Sequence, residues 1–161
     1  MSAKKESPRT EKESVATNRR ARYNYHILET LEAGLCLSGP EVKSLRLKQA
    51  TMDQSFARVE KGEVFLYGLH IAPYAYTTAD RPEPLRTRKL LLKQAEIKRL
   101  AGHVSVKGMV LVPLEIYFKR GWAKTVLALA KGKRGPDKRD DIKRRETARE
   151  VRRNFREKYK G

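Results

Sequence analysis

Nucleophiles, metal ligands and phosphate loops are the residues that reveal catalysis, and this chain has few of them. His26, His70 and His103 fall in separate stretches, and no His or Cys pair has metal-ligand spacing. The single cysteine, Cys36, lies between Leu35 and Leu37, where a small buried hydrophobe is expected rather than a nucleophile. Gly132-Lys133 lacks both the upstream glycine spacing and the Ser or Thr of a phosphate-binding loop. No paired acid motif suggests phosphoryl or glycosyl transfer. The reading is of a protein that binds and does not catalyse.

The chemistry that is abundant is cationic. Lys and Arg number 37 against 19 Asp and Glu, a net charge of +18. Residues 130–161 alone hold 14 cations and 6 acids. Such a field attracts phosphate or an anionic membrane surface. The longest unbroken apolar run, Val126–Ala130, is far short of the ~20 residues a spanning helix needs. No apolar signal core follows the N-terminus, and one cysteine excludes an internal disulfide and fits a reducing compartment. The expectation is a cytoplasmic, monomeric nucleic-acid binder with no membrane partner.

Three basic constellations stand out. Arg19, Arg20 and Arg22 can clamp phosphates with their guanidinium forks, or form a solvated arm. Arg86, Arg88 and Lys89 leave a Pro-rich loop, where charges on a solvated strand edge are the alternative. The tail from Lys131 is the densest. Its Asp137, Asp140 and Asp141 suit a helix's first turn, and Arg152, Arg153, Arg156, Lys158 and Lys160 suit its end. Ala148, Val151, Phe155 and Tyr159 form one narrow stripe, too thin to hold a helix together in isolation. The tail is expected to be disordered when free and helical on an anionic partner.

These groups need a scaffold. Residues 1–17 are charged and small, with Val15 the one aliphatic larger than Ala besides Met1, and are expected to be a disordered arm. Residues 18–130 hold nearly all the large aliphatics and form the core domain; residues 131–161 form the tail. Strands are predicted over Tyr23–Ala33 and Leu35–Leu37, with a bulge or bend at Gly34. Ser38-Gly39-Pro40-Glu41 fits a capping box at the start of a helix that turns Val42 and Leu45 inward and Lys43 and Arg46 outward. Lys61-Gly62 and Arg120-Gly121 are hairpin turns joining Phe56–Glu60 to Glu63–Ile71 and Met109–Lys119 to Trp122–Ala130. Lys89–Leu92 suits a short strand. Lys93–Val106 suits a second helix, with Ala95, Ile97 and Leu100 inward and a break at Gly102. Many antiparallel strands with small helices make the chain mainly β. The expected architecture is a closed barrel of the oligonucleotide-binding type, with short flanking helices and a basic C-terminal tail.

Several runs resemble one family. They are N-R-R-A-R (Asn18–Arg22), L-E-A-G (Leu31–Gly34), G-P-E-V-K-S-L-R (Gly39–Arg46), H-I-A-P-Y (His70–Tyr74), R-T-R-K-L-L-L (Arg86–Leu92), L-A-L-A-K-G-K-R (Leu127–Arg134) and D-K-R (Asp137–Arg139). In this order they resemble the small protein B (SmpB) family over residues 18 to about 145. The resemblance implies an oligonucleotide-binding-like barrel that binds the tRNA-like domain of transfer-messenger RNA (tmRNA). It also implies delivery of that RNA to stalled ribosomes for trans-translation, without catalytic residues or cofactor. It places Asn18, Arg19, Arg20 and Arg22 at the entry to the RNA surface. Glu32 falls at an acidic contact position, where a carboxylate can accept from a base amino or imino group. Lys43, Arg46, Arg88 and Lys89 are the barrel cations expected near the RNA. Lys131, Gly132, Lys133, Arg134, Asp137, Lys138 and Arg139, with Lys143, Arg144 and Arg145 continuing the run, match the tail that enters the small-subunit decoding centre and the empty message channel. Two positions depart from the family: Tyr23 stands where His is frequent, and Pro136 where an aromatic or His is. A general ribosome-associated RNA-binding or chaperone protein would share the charge and the barrel.

Overall fold

A computed structural model of the chain describes residues 12–77, 81–133 and 135–158. In chain order the elements are β1 (Lys12–Thr17), α1 (Ala21–Asn24), β2 (Tyr25–Leu35), α2 (Gly39–Arg46), β3 (Ala50–Thr51), β4 (Phe56–Glu60) and β5 (Glu63–Tyr67). They continue with β6 (His70–Ile71), β7 (Arg88–Leu91), α3 (Gln94–Val104), β8 (Met109–Lys119), β9 (Trp122–Gly132) and α4 (Gly135–Lys158). The fold is mainly β, with antiparallel pairing throughout. Seven strands run in the order β1-β8-β4-β5-β7-β2-β9, and β9 pairs back onto β8, so the pairing from β8 round to β9 closes on itself with β1 attached outside that ring. β3 and β6 form a separate two-stranded sheet.

Alternation along the strands sorts the apolar residues into two clusters. Leu45, Val64, Leu66, Leu90, Leu100, Leu111, Ile116 and Leu127 fill the main core. A smaller cluster, on the opposite face of β8 and β9, packs Val112, Leu114, Ala128 and Ala130 under Ala21 of α1. The two hairpins turn where expected: Lys61 and Gly62 have φ of 49° and 75°, Arg120 and Gly121 of 53° and 80°, the mirror turns that match strand twist. At α2 the backbone N–H of Ser38 donates to Glu41 Oε1 at 3.0 Å, completing the capping box. Leu45 is buried, with Lys43 and Arg46 exposed.

Several expectations are corrected. Lys12–Thr17 is not a disordered arm: it pairs with β8 from Lys12↔Lys119 to Thr17↔Glu115, and Val15 joins the core. The low apolar content of this segment misleads because an edge strand needs only one inward side chain when its partner already exists. Residues 1–11 lie outside the described part. Tyr23 belongs to α1 and not to the first strand, because Ala21 anchors a single helical turn over the smaller cluster. Gly34 does not break β2. It pairs with both Leu91 and Lys124, and a Cβ there would meet Leu91 Cβ at 3.1 Å, so glycine permits close approach of β7. The irregularity in β2 lies between Ile27 and Glu29 instead. Cys36 is exposed, beyond the end of β2. α3 buries Ile97 and Leu100, leaves Ala95 exposed and passes through Gly102.

The boundary of the tail also moves. Lys131 and Gly132 are strand residues, paired with His26 and Tyr25, and Lys133 N–H donates to the Asn24 carbonyl at 2.9 Å. Beyond them the chain forms α4, and Ile142–Asn154 are all exposed. Tyr159, the last residue of the expected stripe, lies outside the described residues. No described helix is long and apolar enough to cross a membrane.

Candidate nucleic-acid interface

The outer face of β2, β9 and β8 carries the first group. Glu32 lies opposite Val126, with Gly34 opposite Lys124 one step along, and Tyr117 opposite Lys124 on the other side of β9. Glu32 Oε1 accepts from Lys124 Nζ at 2.8 Å, Oε2 accepts from the Tyr117 hydroxyl, and Lys119 Nζ lies 3.6 Å away. The Lys124 hydrogen bond, then that from Tyr117, holds the Glu32 carboxyl at about 2, well below its ordinary 4.5. Burial and the neighbouring carboxylate push the Tyr117 hydroxyl up, so it stays a donor. Glu32 is therefore an ionised, oriented acceptor that remains partly exposed.

Beside it, Leu91 presents an apolar side chain that is 53% exposed. Glu32, Gly34, Leu91, Leu92, Lys93, Glu96 and Lys124 line a shallow depression of about 480 Å³. A fixed acceptor, ammonium groups and an aliphatic platform are the chemistry that takes a base edge, a phosphate and a base face. Leu91, Lys93, Lys124 and Tyr117 escape the sequence reading. Leu91, Lys124 and Tyr117 look like ordinary strand alternation, and Lys93 like a helix start, until β7 and β9 flank β2.

One strand step from Glu32 the same face continues into the arginine turn. Arg19, Arg22, Thr30, Glu115, Val126 and Arg145 are among the residues around a second depression, of about 460 Å³. Arg19, Arg20 and Arg22 are exposed. Asn18, grouped with them in the sequence, is buried: its N–H donates to the Leu114 carbonyl at 2.8 Å and its Nδ2 to the Pro113 carbonyl at 3.0 Å. It fastens the turn that presents the arginines. Lys133 Nζ donates to the Arg22 carbonyl at 3.0 Å, clipping the root of the tail to α1.

Arg88 requires a correction. It is not a surface cation: its guanidinium donates to Glu41 Oε2 at 2.5 Å and to the carbonyls of Leu69, Pro84 and Arg86 at 2.6, 3.0 and 3.1 Å. The side chain is wholly buried, with no face left for phosphate. Arg86 bonds the same carboxylate through Nε at 3.0 Å. Burial alone would raise the Glu41 carboxyl, but hydrogen bonds from Arg86, the Ser38 N–H and Arg88 more than offset it and hold it low. This knot ties α2 and β7 to the Pro-rich loop.

The other predicted cations are dispersed. Lys43 Nζ sits 5.4 Å from the Tyr74 ring, and the Arg46 guanidinium 4.6 Å from the Phe118 ring, both exposed on α2. Lys89 pairs with Glu63 at 2.8 Å. Arg139, Lys143, Arg144 and Arg145 are exposed on α4. Asp137 and Lys138 fall within the helix, and Arg134 lies outside the described residues. No group of three or more His, Cys, Asp or Glu able to hold a metal ion occurs among the described residues.

Comparison with known proteins places this geometry among relatives. A family model described as "SmpB protein" matches residues 15–157. The SsrA-binding protein of Pelotomaculum thermopropionicum is 53% identical over 146 residues, spanning 91% of this chain and 95% of its own length. Those of Elusimicrobium minutum and Acetivibrio thermocellus are 50% and 51% identical, over 91% and 93% of this chain and 93% and 97% of their own. A solved chain described as "tmRNA-SmpB: a journey to the center of the bacterial ribosome" is 53% identical with a TM-score of 0.63, covering 74% of this chain and 85% of that one.

Proposed function

Because the chain belongs to the SmpB family, we propose that it binds the tRNA-like domain of tmRNA and delivers it to stalled ribosomes for trans-translation. The observation that carries this reading is the outer face of β2, β9 and β8, where the ionised Glu32 is held by Lys124 and Tyr117, with Lys119 close by, beside the exposed Leu91. Phosphate attraction alone gives a uniformly basic face. An acidic group held by Lys124 and Tyr117 fits recognition of a base edge. Arg19 and Arg22 extend the same face with phosphate-binding forks.

The ring of strands is read as an oligonucleotide-binding-type barrel, supported by pairing that closes through β8 and β9. The body through Lys133 holds the RNA, and the segment from Arg134 occupies the decoding centre and the empty message channel. The activity is adaptor binding in the cytoplasm with no covalent step and no cofactor.

A competition filter assay tests the reading: labelled tRNA-like RNA against excess bulk tRNA and duplex DNA at moderate salt. The labelled RNA should stay bound. Equal competition by bulk tRNA would favour a general RNA-binding or chaperone role, since charge alone gives a common salt slope for all RNAs.

A further inference from the structure

Asn18 also forms part of the wall of a separate cleft, about 570 Å³, between α1, β4 and the start of β8. That volume lies within the roughly 300–1,000 Å³ of small-molecule sites. Its floor is apolar, from Val104, Met109 and Leu111, while Arg20, Asp53 and Arg58 bring charge to its lining. At its edge the Phe56 and Tyr67 rings stack with centroids 5.4 Å apart and planes at 13°. The Arg58 guanidinium lies 5.2 and 5.8 Å from the two rings. Phe56 is 36% exposed. Within the wall, Oδ1 of the buried Asn18 has no hydrogen-bond partner, an exception that buried acceptors rarely show.

We propose that this cleft captures one unpaired nucleotide of RNA, its base stacked on Phe56 and its phosphate held by Arg20 and Arg58. The occupant follows from charge and shape. Two guanidiniums in the lining, with Arg19 and Arg22 on the adjoining turn of a +18 chain, favour a polyanion over an apolar peptide. A stacked aromatic pair crossed by an arginine is a platform for a base. Asp53 and Gln54 add acceptors and a donor to the lining, the groups that a base edge pairs with. The cleft sits at the Met109 end of β8, whereas the Glu32 depression sits toward the Tyr117 end. Their β9 partners, Lys131 and Lys124, are seven residues apart, roughly 23 Å of strand, so the two surfaces take different parts of an RNA. The inference rests on the RNA-binding reading above but not on the Glu32 surface.

The test uses the full chain with fluorescein-labelled hexauridylate and hexaadenylate in polarisation titrations, and a 4-thiouridine hexamer for photocrosslinking with mass-spectrometric mapping. Phe56→Ala should weaken hexamer binding about tenfold, whereas Leu85→Ala, an exposed apolar residue outside both depressions, leaves it unchanged. Crosslinks should fall within residues 53–59 or 109–112. Phe56→Leu, which keeps an apolar contact for Tyr67 without a π-face, reads the same loss if Phe56→Ala lacks a cooperative transition. Unchanged affinity in both variants, crosslinks confined to residues 91–93, or no hexamer binding by the parent chain would overturn the proposal. A hexamer has no tRNA-like fold, so loss of selectivity in the competition assay refutes the adaptor reading and leaves this result standing.

Discussion

Arg88→Met separates a buried tie from an RNA contact. The arginine contributes four hydrogen bonds within the fold, one to Glu41 and three to carbonyls of Leu69, Pro84 and Arg86. Both charged partners are shielded, with side-chain exposures of 0% for Arg88 and 3% for Glu41. Removing one member of such a pair leaves the other charge poorly compensated, at a cost of about 3–5 kcal/mol. Arg86 and the Ser38 N–H still reach Glu41, which favours the lower end of that range. At this chain length the melting temperature should fall by roughly 6–15 °C. Circular dichroism melts and urea titrations of the parent, Arg88→Met and Glu41→Gln/Arg88→Met measure the loss. The double variant should recover part of it, because no buried carboxylate is stranded. RNA affinity, measured well below the transition, should be unchanged in all three. An unchanged melting temperature together with a tenfold loss of tRNA-like RNA affinity would refute the assignment and return Arg88 to the RNA surface.

Glu32→Gln keeps the side-chain shape but removes the charge that Lys119 and Lys124 share, and should weaken tRNA-like RNA binding by about 1–3 kcal/mol in a filter assay. Glu32→Arg places a third cation beside those lysines and strands the Tyr117 hydroxyl, so it should bind no better despite its added attraction for phosphate; improved affinity would remove Glu32 from the site. Acid sensitivity follows from the depressed carboxyls. With Glu32 at about 2 when folded against 4.5 otherwise, its stabilisation is full above pH ~4.5 and is lost as pH falls toward 2; Glu41, also lowered, contributes with the same sign. Melting temperature against pH should decline through that window, with a shallower slope in Glu32→Gln. A chain ending at Lys133 keeps β9 paired and the Asn24 clip, so it should melt cooperatively and retain tRNA-like RNA affinity while failing in peptidyl transfer to alanyl-tmRNA on message-depleted ribosomes. Full activity of that chain would make the tail a dispensable basic appendage.

Local patterns proved legible wherever adjacent residues carry the cause. The Lys61-Gly62 and Arg120-Gly121 turns need positive φ, and Ser38 with Glu41 satisfies neighbouring backbone groups, so both could be read without knowing the fold. Net charge and the absence of metal-ligand spacing likewise limited the chemistry from composition alone. What the sequence could not decide was which side of each strand meets which neighbour. Arg88 and Lys89 are adjacent cations, yet strand alternation sends one into the Glu41 knot and the other outward to Glu63. Lys12–Thr17 is too polar to collapse alone, and becomes a strand only because β8 offers an unpaired edge. Glu32, Leu91, Tyr117 and Lys124 come from four strands, and only the antiparallel registers of β2 with β7 and β9 bring them onto one face. Residue type sets what a side chain can do, but long-range pairing sets its neighbours, and the charge state and exposure of Glu32 depend on those neighbours.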